Sequence, residues 1–285
     1  MPPRDLALIA LVVLAWGSNF TAMKLALEEV PPFLLVALRF AILLPLLTVL
    51  KRPAIAWSKI IAIGALINMA QFAFLFAALR SDVSAGLASL LIQIQAPLTI
   101  FLSLIVFGER LRPLQAAGLA TALAGLGVFA TSAGGAVTGV GLTLVMFAAL
   151  SWALGNLVLK RVGRVNTLAL FIWASLVPPL PMLALSMLLE TPAPFATIAA
   201  MSLQGWLAVI YVAFASTLLG YSIWGALLAR HPAASVTPFA LLIPVVGVAV
   251  SAAVLGETLT PRDLVGGAII LAGLALIQFP PRQPR

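Results

Sequence analysis

The chain has 285 residues, 63% of them hydrophobic and only 8% charged, with 16 Lys and Arg against 8 Asp and Glu for a net charge of +8. An ordinary soluble domain is about 25% charged. A soluble fold of this length exposes too much surface to hide so apolar a composition, and disordered chains are poor in large apolar residues. The chain has no cysteine, which excludes disulfides, thiol nucleophiles and thiolate metal sites. Its basic residues are not gathered with aromatics on a soluble face, so nucleic acid is not the expected partner. Composition leaves an all-α polytopic membrane protein, with membrane lipid as its surroundings.

A bilayer crossing takes about 20 apolar residues. In chain order, the uncharged runs predict spans at 5–28, 32–51 (with Arg39 inside), 58–80, 83–107, 113–131, 138–160, 166–189, 203–229, 233–255 and 263–279. The long run between Arg112 and Lys160 divides at Thr131-Ser132-Ala133-Gly134-Gly135, and the loop Thr191-Pro192-Ala193-Pro194 precedes the eighth span. The runs are continuous and rich in Leu and Ala, without barrel alternation. The first is too long for a signal-peptide core, so an uncleaved first helix is expected. No loop can hold a soluble domain, and function must sit among the helices.

Lys and Arg mark cytoplasmic loops. With both termini inside, the inner loops collect Arg4, Lys51, Arg52, Lys59, Arg110, Arg112, Lys160, Arg161, Arg164, Arg230, Arg282 and Arg285. The outer loops hold only Arg80 and Arg262, while Lys24 and Arg39 fall within spans. The acids Glu28, Glu29, Asp82, Glu190, Glu257 and Asp263 lie outside. The basic excess is thus mostly a topology signal.

The sequence repeats itself. Gly108-Glu109-Arg110-Leu111-Arg112-Pro113 matches Gly256-Glu257-Thr258-Leu259-Thr260-Pro261 at an offset of 148, which carries on through Gly118/Gly266 and Gly125/Gly273. Pro97 and Pro244 lie in the preceding helices, and Trp16…Lys24 and Trp152…Lys160 share a spacing of eight, with Asn19 and Asn156 between them. Residues 1–131 and 132–285 would each hold five helices. Five is odd, so the second copy starts on the opposite side, giving two inverted five-helix repeats. Such repeats are typical of secondary transporters that bind substrate near the midplane. A duplicated scaffold without transport is the alternative.

The W-G-x-N-F-x-x-x-K stretch (Trp16–Lys24), the P-P-x-x-x-x-x-L-R-F stretch (Pro31–Phe40), the G-E-R-L-x-P end of the fourth span and its copy resemble the drug/metabolite transporter superfamily, in particular its EamA family of ten-helix exporters. Asn68–Phe76 and Ala85–Thr99, with its Q-x-Q-A core, are similar to the amino-acid and metabolite exporters of that family. The resemblance covers essentially the whole chain. It implies ten transmembrane helices as two inverted repeats, and export of amino acids or related small metabolites across a bacterial inner membrane, with cytoplasmic termini. A drug or nucleotide-sugar carrier of the same superfamily is the alternative cargo class.

Polar groups within spans tend to face the bundle interior. Lys24 either snorkels to the outer surface or meets substrate. Arg39 can clamp a carboxylate, or pair with helix-end carbonyls, Glu28 or Glu29; with no basic counterpart in Phe171–Ala174, the structural role is preferred. Glu109 and Glu257 read as turn and capping residues, and His231 as a loop residue. No Asp, Glu or His sits at midplane depth, which points to facilitated diffusion or weak coupling rather than a proton relay. Binding a zwitterion takes amides, hydroxyls and aromatic faces. The cargo candidates are Asn19, Gln71, Ser89, Gln93, Trp152, Asn156, Tyr221 and Trp224, with Trp16, Asn68 and Phe72, Phe74 and Phe76 nearby; Ser89, Gln93 and Pro97 are spaced by four and Gln95 points elsewhere. For each, interhelical bonding or packing is the alternative.

Prolines 45, 97, 178, 179, 181 and 244 each remove a helical hydrogen bond, and Pro97 and Pro244 are the expected hinges. Glycines 118, 125, 127, 266, 267 and 273 predict a tight contact between the fifth and tenth helices, within the chain or between protomers of a homo-oligomer. A membrane-embedded enzyme would need clustered carboxylates, histidines or arginines at one face. The acids are scattered and the single His is isolated, so no catalytic residue, metal or cofactor is expected.

Overall fold

The computed structural model describes residues 1–108, 113–130, 139–163, 165–230, 236, 239–240 and 242–278. The regular elements among them are all helical. α1 (Pro3–Glu29) opens on proline, where the first turn needs no N–H. α2 (Pro32–Ala41) does likewise and is followed by a 3-10 turn, Leu44–Thr48, around Pro45. α3 (Trp57–Ser81) contains a π-helical stretch, Gly64–Ala70. α4 (Ala85–Phe107) is interrupted by a 3-10 turn at Ile92–Ile94 and ends on Gly108, whose φ of 64° suits a residue without Cβ.

In the second part, α5 (Pro113–Ala130) and α6 (Gly139–Val162) are continuous. α7 comes in two pieces, Thr167–Ala174 and Pro179–Leu189, bent by 40°. A short helix, Pro194–Ala199, precedes α8, which runs as Leu203–Ile210, a π-helical stretch Tyr211–Gly220, and Tyr221–Arg230. α9 (Leu242–Leu255) is followed by Gly256, again left-handed at φ 67°, and α10 (Pro261–Gln278) is the last.

Two expectations change. The run 166–189 is not one helix, because Pro178, Pro179 and Pro181 cannot continue Thr167–Ala174. Several prolines also lie in first turns rather than helix interiors: Pro244 is the third residue of α9, and Pro179 and Pro181 the first and third of the second piece of α7, whereas Pro97 follows the 3-10 turn within α4. In a first turn the missing N–H has no intrahelical partner to lose.

Among the described residues, five helical stretches are long and apolar enough to cross a membrane: α1, α3, α4, α6 and Leu203–Trp224 of α8. The two pieces of α7 qualify together, and Pro32–Thr48, Pro113–Val128, Leu242–Leu255 and Leu264–Ile277 are shorter apolar helices. Large apolar side chains such as Leu180, Leu188, Leu203 and Ile105 stand exposed on the outside, as hydrocarbon surroundings demand.

α1 packs on α8 and α9, α6 on α3 and α4, α2 on the second piece of α7, and α5 on α10. The α5–α10 contact is within the chain. A Cβ on Gly118 would lie 2.6 Å from the Gly273 carbonyl oxygen, and one on Gly125 2.9 Å from that of Gly266. The helices therefore meet backbone to backbone.

Carboxylates stitch one end of the bundle. Glu190, after α7, accepts the N–H groups of Phe33 (2.8 Å) and Leu34 (3.2 Å) at the start of α2. Glu257, after α9, accepts those of Ala85 (2.8 Å) and Gly86 (3.0 Å) at the start of α4. Glu29, ending α1, accepts from the Ser202 N–H (2.6 Å) and hydroxyl (2.5 Å) at the start of α8. A carboxylate is favoured there because the first N–H groups of a helix carry a partial positive charge. Glu257 is thus a cap across helices. At the other end Asp5 pairs with Arg230 at 3.1 Å.

Candidate functional site

The π-helical stretch of α8 carries Ser216 inward to α1 and α2. Its backbone carbonyl accepts the Trp16 indole N–H at 2.9 Å. Its hydroxyl accepts Nη2 of Arg39 at 2.9 Å and donates to Val212 at 3.0 Å. Arg39 is only 3% exposed. Its guanidinium carbon lies 3.8 Å from the centroid of Phe72 and 5.3 Å from that of Phe40, positions where a ring face attracts a cation. Phe72 in turn stacks against Phe40 and Phe76, at 5.8 and 5.6 Å between centroids.

Trp16 also meets Trp224 at 5.3 Å. Gly220, in the π stretch, gives Trp16 room, since a Cβ there would run into its indole. Trp224 is half-buried and belongs to a cluster with Ile9, Val13 and Leu227. Ser18 and the Tyr211 hydroxyl bond at 2.7 Å, again joining α1 to the π stretch. One turn along from Trp16, Asn19 is buried and its Oδ1 has no hydrogen-bond partner.

The other candidates fall elsewhere. Asn156 donates to Gln95 Oε1 (3.0 Å) and Thr99 Oγ1 (3.1 Å), tying α6 to α4. Gln95 is therefore the amide facing α6. Asn19 follows Trp16 by three residues and Asn156 follows Trp152 by four, which sets them about 100° apart around their helices and gives them different surroundings. Trp152 is half-buried between two core clusters. Ser89 is fully buried and donates to Gly86 (2.6 Å) and Pro244 (3.4 Å), joining α4 to α9. The 3-10 turn beyond it shifts the register that a straight helix gives to Ser89, Gln93 and Pro97. Gln93 is half-buried, and Gln71 is buried just after the π stretch of α3. Tyr221 lies on the helix after the second π stretch; its side chain lies outside the described residues, as do Glu109, Arg110, Arg112, Arg164, His231 and the 131–132 boundary.

Lys24 does not snorkel. Its ammonium group donates to the Leu79 carbonyl and, at 3.4 Å, to that of Val83, at the end of α3. Nor is Arg39 matched to Glu29, which is engaged with Ser202. Ser216, Ser18 and Tyr211, which bond around Trp16 and Arg39, and Thr99, which bonds Asn156, are groups that sequence reasoning passed over. The alignment of Ser216 depends on a π stretch with no sequence signature.

Asn68 has a structural task. It donates to the Phe171 carbonyl (3.2 Å) and the Ser175 hydroxyl (3.4 Å), where α7 breaks. Interhelical bonds of this kind contribute about 0.6–1.7 kcal/mol in membranes. A double-mutant cycle of Asn68→Ala and Ser175→Ala, read by thermal melting, is expected to give a coupling in that range. The Asn156→Ala and Gln95→Ala cycle is expected to do the same.

The EamA-like transporter family model matches the chain twice, over residues 5–131 and 139–279. A probable amino-acid metabolite efflux pump of Salmonella typhimurium is 40% identical over 98% of this chain and 96% of its own length. Its namesake in Escherichia coli K12 is 38% identical over the same shares. A probable terminal-alkyne amino-acid exporter of Streptantibioticus cattleyicolor is 29% identical over 94% and 91%. A crystal structure 21% identical in sequence superposes with a TM-score of 0.63 over 97% of this chain and 96% of that one, which shows the fold to be shared. With both parts of a helical membrane chain matched to one transporter model, the chain belongs to the EamA-like transporter family.

Proposed function

We propose that this chain is a carrier, not an enzyme, that exports amino acids or related small metabolites across a bacterial inner membrane by alternating access. The observation that carries the proposal is the near full-length similarity, at 40% identity, to a protein named as a probable amino-acid metabolite efflux pump. The ten labelled helices are the spans, in two inverted halves, 1–131 and 132–285.

Several features support that architecture. The family model matches in tandem. The main packing partners of α1 and α6 correspond when the first five helices are exchanged for the last five: α1 with α9 answers α6 with α4, and α1 with α8 answers α6 with α3. π stretches occur in α3 and α8, and left-handed glycines 148 residues apart follow α4 and α9. The Lys and Arg distribution supports cytoplasmic termini.

Cargo passes between the halves, along the face of α1 that carries Trp16 and Asn19 and past Gln71, Gln93, Trp152, Asn156, Tyr221 and Trp224. Ser89 holds α4 against α9. Pro97 and Pro244, each beside a 3-10 turn (92–94 and 239–240), mark where these helices bend. In liposomes, the purified protein is expected to catalyse counterflow of labelled amino acids with the same rate with or without a pH gradient. If folded protein moves no amino acid of a full panel, the cargo assignment falls; acceleration by the gradient would replace facilitation with coupling.

A further inference from the structure

We propose that the surface formed by Lys51, Arg52, Trp57, Ile61 and Trp173 seats an anionic phospholipid of the cytoplasmic leaflet, with the phosphate on Arg52, the glycerol backbone at the Trp57 indole and an acyl chain along Ile61. This goes beyond the export function and can be tested without transport.

These residues lie at the end of the bundle opposite the carboxylate caps, where α2 gives way to α3. Lys51 and Arg52 are exposed. An exposed arginine ordinarily has many rotamers to lose when it binds, but Arg52 is already held. Its Nη1 donates to the Ile55 carbonyl at 3.0 Å, and its guanidinium carbon lies 5.1 Å from the ring centroid of Trp57, where a ring face attracts a cation. A guanidinium carries several N–H donors in a planar fork, so the bond to Ile55 leaves donors for phosphate oxygens. Trp57 is held in turn. Its ring meets that of Trp173 edge-on at 5.9 Å, and the Trp173 indole N–H donates to the Leu50 carbonyl at 2.9 Å.

Charge and apolar surface here fit one kind of molecule. Among the described residues no carboxylate pairs with Lys51 or Arg52, and the one acid at this end, Asp5, pairs with Arg230. Lys59 donates to the Arg161 carbonyl at 3.1 Å, which adds the charges of α3 and α6 to the same end. Below the cations the surface turns apolar. Trp57 is 48% and Ile61 52% exposed; four residues apart, they share a face of α3, with Ile61 about 6 Å deeper. A soluble anion has no use for that stripe, and a lipid without net charge has no use for the fixed cation. An anionic phospholipid uses both. The cytoplasmic membrane surface is negative and attracts basic residues beside a span, and tryptophan settles at headgroup level. Trp57 belongs to the first half and Trp173 to the second, so a lipid seated on the pair bears on both.

The test is lipid titration of the purified full chain, read by native mass spectrometry and by melting temperature. The probes are dioleoyl phosphatidylglycerol, dioleoyl phosphatidylcholine (same chains, no net charge) and glycerol 3-phosphate (no chains). Phosphatidylglycerol is expected to bind most tightly and to raise the melting temperature. Arg52→Gln is expected to weaken it roughly fivefold and to leave phosphatidylcholine unchanged. Lys51→Gln gives the same reading should Arg52→Gln not fold. Trp57→Ala, which removes the platform, is expected to weaken both lipids. Arg4→Gln removes an equal, exposed charge from α1 at the same end and is expected to change nothing. A loss in Arg4→Gln as large as that in Arg52→Gln would reduce the effect to bulk charge and overturn the site. Equal affinity for the two lipids overturns it too, as does glycerol 3-phosphate binding as tightly as phosphatidylglycerol, which would make the cluster a soluble-anion site.

Discussion

Gly273→Leu and Gly118→Leu are expected to abolish folded, monodisperse protein, whereas Gly127→Leu is expected to leave it intact. A Cβ on Gly273 would lie 2.6 Å from both the Ala122 amide nitrogen and the Gly118 carbonyl oxygen. These are backbone atoms of a helix and cannot step aside as a side-chain tip would. Overpacking a relaxed core costs about 1–3 kcal/mol, and here relief requires the whole of α5 to move off α10. Gly127, by contrast, faces open space, with nothing within 4 Å of its would-be Cβ, and leucine is the better helix former. Size-exclusion profiles and melting temperatures in detergent check both. A Gly273→Leu protein that melts with the wild type would mean that the α5–α10 contact is not needed for stability.

The second large effect is expected at the carboxylate end. Glu29, Glu190 and Glu257 each join a helix of one half to the first turn of a helix in the other. Loss of a capping side chain costs about 0.5–2 kcal/mol, and this cost falls on the state in which that end is closed. Glu257→Ala should therefore raise the population open at that end by roughly two- to thirtyfold, at 1.4 kcal/mol per factor of ten, and the triple variant by more. The chain contains no cysteine, so a single Ser18→Cys reporter on α1 can be followed with an impermeant alkylating reagent. Faster labelling from the carboxylate end in Glu257→Ala is the expected result; equal rates would show that these caps do not hold the end shut.

Charge gaps made the spans legible. Lys24, Lys59, Arg80, Asp82 and Glu190 punctuate an otherwise apolar chain, and helix ends such as Glu29, Ser81 and Phe107 fall within a few residues of the predicted positions. Internal irregularities were less so. The α7 break could be suspected from its prolines, but the π stretches in α3 and α8 contain no residue that forces them. The site followed the same division. Trp16, Asn19 and Trp224 stand out as residue types, and Trp16 and Trp224 meet. Arg39 was visible as a cost, but its partner Ser216 lies 177 residues away and has no distinguishing pattern. Asn19 and Asn156 look alike in the repeat, yet the single extra residue after Trp152 turns Asn156 to Gln95 and Thr99.

The stitches at the carboxylate end have a consequence for how such a chain can drift. Apart from the Ser202 hydroxyl, the donors to Glu29, Glu190 and Glu257 are main-chain amides. Almost any residue except proline supplies the same donor, so the amides of Phe33, Leu34 and Ala85 bond their glutamates whatever side chain they carry. Gly86 and Ser202 are bound more closely, the first because a Cβ would meet Ser251 at 2.6 Å and the second because its hydroxyl also donates, so traces of paired substitution across this seam should be confined to those two positions.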